Sequence, residues 1–158
     1  MPSKQTIQDL LTEEIKDLYS AEVQLTKALP KMAKGSNDPE LRIAFEDHLV
    51  ETENQAARLE RAAVLLGITA KGKKCVGMEG CIQEGADALD ENGARGVHDL
   101  SLVGAASRVE HYEMAAYTTA IDLAKRMGKD DVVELLQTSW AEERDTDQKL
   151  RRIASNLM

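Results

Sequence analysis

The sequence is poor in aromatic side chains and in proline: its 158 residues include one Trp, three Tyr, one Phe and three Pro. This composition disfavours an all-β sandwich, which needs aromatic and β-branched strands broken by frequent turns. Two cysteines, Cys75 and Cys81, are too few for a secreted disulfide scaffold. No apolar run approaches the roughly 18–20 residues of a membrane span, and residues 1–14 contain no signal-peptide core. We therefore expect a cytoplasmic protein with no membrane partner.

Basic residues are also in the minority, since 20 Lys and Arg face 28 Asp and Glu, a formal net charge of −8. Nucleic-acid binding needs a basic footprint, so we expect no nucleic-acid partner. The length suits one domain and can bury a sizeable core without disulfides. We expect residues 1–158 to form a single helical bundle domain.

Apolar residues recur at steps of three and four in four long segments, which predicts four amphipathic helices. The segments span residues 11–32, 41–66, 103–127 and 132–157. Asp38 can cap the second helix with Pro39 in its first position, and Asp130 or Asp131 can cap the fourth. Gly67 and Gly128 are placed to end the second and third.

The connections between these segments predict how the helices are arranged. The first and last links are short, so each joins an antiparallel hairpin, whereas the middle link, about residues 68–96, is long and rich in glycine. Within that link Cys75, Met78, Ile82, Ala86 and Leu89 keep helical spacing and predict a short extra helix. The sequence therefore predicts an all-α, ferritin-like four-helix bundle in up-down-down-up order with one long crossover.

Polar residues interrupt all four apolar stripes at mid-length. On the stripes these are Glu22, His48, Thr52, Gln55, Glu110, Glu113, Glu143 and Thr146, and Glu51, Glu142 and Asp147 flank them. In a bundle they fall at one level, where a buried carboxylate costs several kcal/mol unless it is paired, protonated or bound to a cation. Arg58 and Arg108 are too few to neutralise so many acids. A pair of divalent metals is the usual resolution, and this ligand set suits iron or manganese.

The spacing alone leaves two alternatives open, a solvated polar cavity and a dimer seam. One feature departs from known di-iron bundles, in which two helices each supply a Glu-x-x-His motif. This sequence has no such motif, because Asn54 follows Glu51 and Thr146 follows Glu143 at the third position. It has instead the reversed His48-x-x-Glu51 and a Glu110-x-x-Glu113, whose members still share one helix face.

Several ordered motifs resemble the enterobacterial YciE/YciF stress-protein family over nearly the whole chain. They are residues 17–22 (DLYSAE), His48-Leu49-x-Glu51-Thr52, Cys75-x-x-Met78-Glu79-Gly80, residues 109–113 (VEHYE) and Glu142-Glu143 with Asp147. The resemblance implies a ferritin-like bundle that forms a homodimer, is associated with stress responses and is related in fold to rubrerythrin and manganese catalase. Carried over by position, it implies metal ligation by Glu22, Glu51, Glu110, Glu113, Glu143, His48 and Asp147.

The leading hypothesis is a protein that binds two Fe or Mn ions and acts on O2 or H2O2, with Glu51 and Glu143 as bridging ligands. Glu22, Glu110 and Glu113 would be terminal ligands. The alternative is a metal-free structural or interaction protein that dimerises through its helices. In either case we expect the hydroxyls of Tyr19 and Tyr117, one or two turns from the acids, to orient a carboxylate.

Overall fold

The computed structural model describes residues 3–157, and five α-helices account for most of them. The helices are α1 (Ile7–Gly35), α2 (Pro39–Leu66), α3 (Val76–Asp90), α4 (Arg95–Arg126) and α5 (Asp130–Ala154). Residues 3–157 contain no β-strand, so the all-α prediction is confirmed. Within that range, no helix combines the length and the apolar character needed to cross a membrane.

Contacts between the helices establish the predicted order. The α1–α2 and α4–α5 hairpins pack through α1 on α4 and through α2 on α5. His98 Nε2, near the start of α4, lies 3.1 Å from the carbonyl oxygen of Gly35 at the end of α1. Arg152 near the end of α5 pairs with Glu40 at the start of α2. Both pairs are therefore antiparallel, as an up-down-down-up bundle requires. Helix α3 is the predicted extra helix of the crossover and packs on α1 and α4.

Most of the predicted helix ends are confirmed. Asp38 Oδ1 accepts a hydrogen bond from the backbone N–H of Leu41 at 2.9 Å, directly before Pro39. Gly67 and Gly128 have φ angles of 68° and 64°, in the left-handed region that favours glycine.

The predicted cap of α5 is wrong. Lys129 occupies the N-cap position without a side-chain cap hydrogen bond, and Asp130 and Asp131 lie in the first turn. There the two acids face the positive end of the helix dipole, which is favourable without a capping hydrogen bond. The chain turns at Gly128, so the helix starts as soon as the turn allows.

The core consists of two apolar clusters with a polar layer between them. One cluster contains Leu29, Phe45, Leu102 and Ile153, and the other contains Leu11, Leu59, Ala124 and Leu136. Most of the buried polar residues lie at mid-helix: Glu22, His48, Thr52, Gln55, Glu110, Glu113, Ser139, Glu143, Thr146 and Asp147. The fold therefore holds the interrupted parts of the four stripes inside the bundle, sealed on both sides by hydrocarbon.

Candidate metal centre

Four of the predicted ligands come together in the polar layer. His48 on α2, Glu110 and Glu113 on α4, and Glu143 on α5 each offer one ligand atom, and these atoms all lie within 4.8 Å of one another. Each of the four side chains is at most 2 % exposed. Glu110 and Glu113 reach the same point because residues three apart share one face of a helix. We refer to these four residues as the carboxylate cluster.

The two ring nitrogens of His48 have different neighbours. Its Nε2 lies 3.2 Å from Glu110 Oε1 and 3.6 Å from Glu143 Oε2. Its Nδ1 lies 3.1 Å from Glu51 Oε2 and 3.2 Å from Thr146 Oγ1. Contacts on Nδ1 fix the ring orientation, which directs Nε2 into the cluster as a ligand nitrogen would be directed.

Glu22 lies beside the cluster and reaches it from α1. Its Oε1 accepts a hydrogen bond of 2.5 Å from the hydroxyl of Tyr117 on α4. The predicted role of Tyr117 in orienting a carboxylate is therefore confirmed. The same prediction for Tyr19 is wrong for the buried acids, because its hydroxyl donates to Glu60 instead. Tyr19 lies on the outer side of α1, where Glu60 of α2 is within reach.

Several buried polar atoms of the layer have no hydrogen-bond partner among residues 3–157. They are Thr52 Oγ1, Gln55 Oε1 and six atoms of possible metal ligands: Glu22 Oε2, His48 Nε2, Glu110 Oε2, Glu143 Oε2 and both oxygens of Glu113. Folded proteins rarely leave such atoms unsatisfied, and each normally has an explanation such as a proton, a water or an ion. Oxygen and imidazole nitrogen atoms that converge from three helices are the donor set of a hard or borderline divalent cation. The residues present therefore fit a metal ion.

The pKa values of the buried acids in the metal-free layer also indicate a site that suits a cation. Burial raises the pKa of Glu22 to about 7. Burial, and then repulsion from neighbouring carboxylates, raise the pKa of Glu113 and of Glu143 well above the ordinary range. Burial alone would lower the pKa of His48, but Glu110 and Glu143 outweigh it and raise that pKa. The folded chain therefore retains protons at this level when no cation replaces them.

Two further predicted ligands lie at or beyond the edge of the cluster. The side chain of Glu51 is 38 % exposed and contacts His48 and Thr146, so it lies between the cluster and solvent. Asp147 on α5 is not among the four clustered residues and accepts hydrogen bonds from Ser107 at 2.7 Å and from Arg151 at 2.8 Å. These hydrogen bonds occupy the Asp147 carboxylate outside the cluster.

Arg58 and Arg108, the two candidate cations near the layer, form ion pairs elsewhere. Arg58 forms a bidentate pair with Glu142, with both N···O distances at 2.7 Å. Arg108 lies 3.9 Å from Glu84 at the surface. The carboxylate cluster therefore has no arginine partner among the ion pairs within residues 3–157.

Sequence reasoning missed the role of Gln55. Its Nε2 donates to Glu143 Oε1 and, at 3.0 Å, to Glu142 Oε2. The available signal was its position on the second stripe, seven residues after His48 and therefore on the same helix face. Gln55 thus connects the buried Glu143 to the Glu142–Arg58 pair and holds it in place.

The fold and the site together define a class, the ferritin-like helical bundle with a buried histidine–carboxylate cluster. The chain belongs to the family DUF892, a domain of unknown function, whose pattern matches residues 6–158. It is 39% identical over 152 residues to Protein YciF of Escherichia coli (strain K12), covering 96% of this chain and 92% of that protein. The expected membership of the YciE/YciF stress-protein family is therefore confirmed.

Solved structures agree with this assignment. The crystal structure of the E. coli stress protein YciF matches with a TM-score of 0.95 and 38% identity, over 98% of each chain. YcfI of Rhodopseudomonas palustris, a candidate structural protein, matches at 0.91 and 38% identity, over 95% of this chain and 96% of that one. A protein from Xanthomonas campestris pv. campestris str. ATCC 33913 shares the fold at 0.75 and 21% identity, covering 96% and 93% of the two chains.

Proposed function

We propose that the carboxylate cluster, together with Glu22, binds two iron or manganese ions and that the protein is a di-metal protein of the stress-response type. The single observation that supports this most strongly is the convergence of unsatisfied buried oxygens around His48 Nε2. His48, Glu110, Glu113 and Glu143 would hold the first ion. Glu22 has a free Oε2 and would contribute to the second.

The metals would supply the electrons for a reaction with a small oxidant. Two Fe(II) ions held by these residues would provide two electrons, which with two protons would reduce O2 to H2O2, or H2O2 to two waters. The chain itself supplies protons and exclusion of water. Carboxyl groups that hold protons in the metal-free layer release them when a cation binds, and the two apolar clusters seal the site on both sides.

Anaerobic titration with Fe(II) and with Mn(II) tests the proposal. We expect close to two equivalents to bind and the melting temperature to rise with metal concentration by mass action. Glu110→Ala and Glu113→Ala should lose this binding. Glu84→Ala is the matched control, because Glu84 is an exposed carboxylate paired only loosely with Arg108. Unchanged binding in both cluster variants would refute the ligand assignment.

Glu51→Ala tests the predicted bridging role separately. Because Glu51 contacts His48 Nδ1 and is partly exposed, we propose that it orients His48 and admits cations from solvent. Its loss should slow metal uptake and weaken affinity about 10–100-fold, as is typical when a ligand's supporting partner is removed. Binding that is abolished altogether would instead support a direct bridging role.

A second candidate function is a structural or interaction protein that acts as a homodimer, and a surface stripe favours it. Ile43, Val50 and Val64 on α2 are 55 %, 58 % and 78 % exposed, and with Ala57 they repeat every seven residues. If two copies of α2 pair antiparallel with Val50 opposite Ala57, Ile43 lies opposite Val64. Repeats of seven apolar residues are typical of helix–helix seams.

Charge supports a second copy as the occupant of this stripe. The same antiparallel register places Glu46 of one copy opposite Arg61 of the other, and both are exposed. Sedimentation of the wild type should give a dimer, and Val50→Glu should give a monomer with an unchanged metal content. Val76→Glu is the control, because Val76 is at least as exposed as Val50 but lies on α3. A monomeric wild type would refute the dimer.

A further inference from the structure

An apolar cavity adjoins the carboxylate cluster, because Glu110 belongs to both. It lies among α1, α2, α3 and α4 and has a volume of about 30 Å³. Leu29, Phe45 and Ala106 contribute to its walls, and Glu110 is the charged residue that lines it. The cavity is therefore lined in part by a residue that also belongs to the cluster.

The lining decides what can occupy this space. A buried water typically makes about three hydrogen bonds, and cavities without such partners stay dry and bind small apolar molecules. Apart from Glu110 and the weakly polar thiol of Cys81, the residues that line the cavity have apolar side chains. An uncharged apolar molecule of a few atoms fits both the volume and the chemistry.

The burial pattern gives the cavity a direction. Ala28, Cys81 and Ile82 are half-buried and lie where α3 packs against α1, whereas Glu110 is 2 % exposed. The cavity therefore leads inward from the α1–α3 groove to the cluster. The polar route from solvent to the cluster is separate from this cavity and passes the partly exposed Glu51 to reach the buried His48.

We propose that this cavity binds dioxygen and delivers it to the carboxylate cluster, separately from the polar approach at Glu51. This inference rests on the proposed function, and it names O2 rather than H2O2 as the oxidant that uses the cavity. Dioxygen gives up no strong hydrogen bonds when it leaves water. Hydrogen peroxide gives up several and recovers few of them between apolar walls.

One glycine allows a conservative test. A Cβ atom added at Gly85 would lie 3.7 Å from Met32 Sδ, in ordinary van der Waals contact, and both residues line the cavity. Gly85→Ala therefore reduces the cavity without a clash. Gly80→Ala is the matched control, since Gly80 lies on the same helix and an added Cβ would point into open space. Both changes raise helix propensity equally.

The first measurement uses xenon and metal-free protein, so it is independent of the metal. Xenon should bind to the wild type and to Gly80→Ala, with crystallographic density between Phe45 and Ala106, and at least threefold more weakly to Gly85→Ala. Ala106→Leu narrows the cavity from α4 and should have the same effect if the cavity, not α3, is responsible. Absence of xenon from the wild-type cavity would overturn the proposal.

The second measurement is the initial rate of oxidation of bound Fe(II). Gly85→Ala should need at least threefold more O2 for a given rate than Gly80→Ala, with equal Fe(II) binding and equal rates with H2O2. Equal O2 dependence in the two variants would overturn delivery through the cavity. Failure of the wild type to bind Fe(II) would instead refute the proposed function and with it delivery to a metal, while the xenon result would still establish whether the cavity takes an apolar gas.

Discussion

Tyr117 on α4 donates its phenolic proton to Oε1 of Glu22 on α1, and both side chains are fully buried. This hydrogen bond crosses the bundle and fixes one oxygen of Glu22, so that the other oxygen is left facing the cluster. Burial, and then repulsion between its anion and Glu22, Glu113 and Glu143, raise the pKa of Tyr117 well above its usual range. Tyr117 therefore acts as a permanent donor.

Replacing Tyr117 by Phe should destabilise the protein. The substitution leaves Glu22 Oε1 buried without its donor, which typically costs about 1–3 kcal/mol. We expect a melting temperature lower by several degrees in a thermal scan of the metal-free protein. Tyr19→Phe is the control, because it removes a surface hydrogen bond to Glu60 and should cost under about 0.5 kcal/mol. Equal losses in the two variants would contradict a special role for Tyr117.

Stability of the metal-free protein should fall as the pH rises from about 5 to 8. Glu22, with a pKa of about 7, and Glu113 and Glu143, with raised pKa values, bind protons more tightly when folded than when unfolded. Stability from such groups is present below the unfolded pKa and is lost as the pH passes the folded pKa. The raised pKa of His48 acts in the same direction.

Glu51, at the edge of the carboxylate cluster, affects stability in the opposite direction and only at lower pH. The pKa of Glu51 is lowered by its hydrogen bond with His48, so its contribution is lost as the pH falls through its folded pKa. Urea unfolding at a series of pH values measures both the loss of stability at high pH and the loss at low pH. Saturating Mn(II) should remove the decline in the free energy of unfolding above pH 5. A free energy of unfolding that rises steadily to pH 8 without metal would be incompatible with buried, protonated carboxyls.

Glu113→Gln should abolish stabilisation by Mn(II) and make the metal-free protein more stable. Neither oxygen of Glu113 has a hydrogen-bond donor among residues 3–157, so the charged side chain is unfavourable without a cation. The neutral amide removes that penalty, and replacing unfavourable buried charge is worth about 1–4 kcal/mol in comparable cases. We expect a more stable metal-free protein at pH 8 and no further stabilisation by Mn(II). Glu84→Gln, at the surface, should change neither quantity, and a destabilised Glu113→Gln would count against this explanation.

Asp147→Asn tests whether Asp147, one of the seven predicted ligands, binds metal. Because Asp147 is held by Ser107 and Arg151, we expect Mn(II) affinity to change by less than about twofold and stability to fall by about 1 kcal/mol. Calorimetric titration measures the first and urea unfolding the second. A loss of affinity of tenfold or more would make Asp147 a ligand despite its position.

The sequence alone was sufficient for the helices, their order and the level of the polar layer. Steps of three and four residues place Glu22, His48, Glu110 and Glu143 on the inward stripes, and short links at Asp38 and Gly128 require hairpins. The cap at Asp130 or Asp131 was predicted wrongly, since a favourable first turn and a true N-cap need the same residue types.

Only the tertiary structure decided which acids meet. The sequence predicted Glu51, Glu113 and Asp147 alike as ligands, yet Glu113 is buried in the cluster, Glu51 is partly exposed and Asp147 pairs with Arg151. The pairing of Gln55 with Glu143 and of Arg58 with Glu142 likewise depends on how α2 and α5 are rotated and shifted against each other. Periodicity determines that a helix has a polar patch on its inner face, whereas packing of whole helix surfaces fixes the rotation and register that bring particular atoms together.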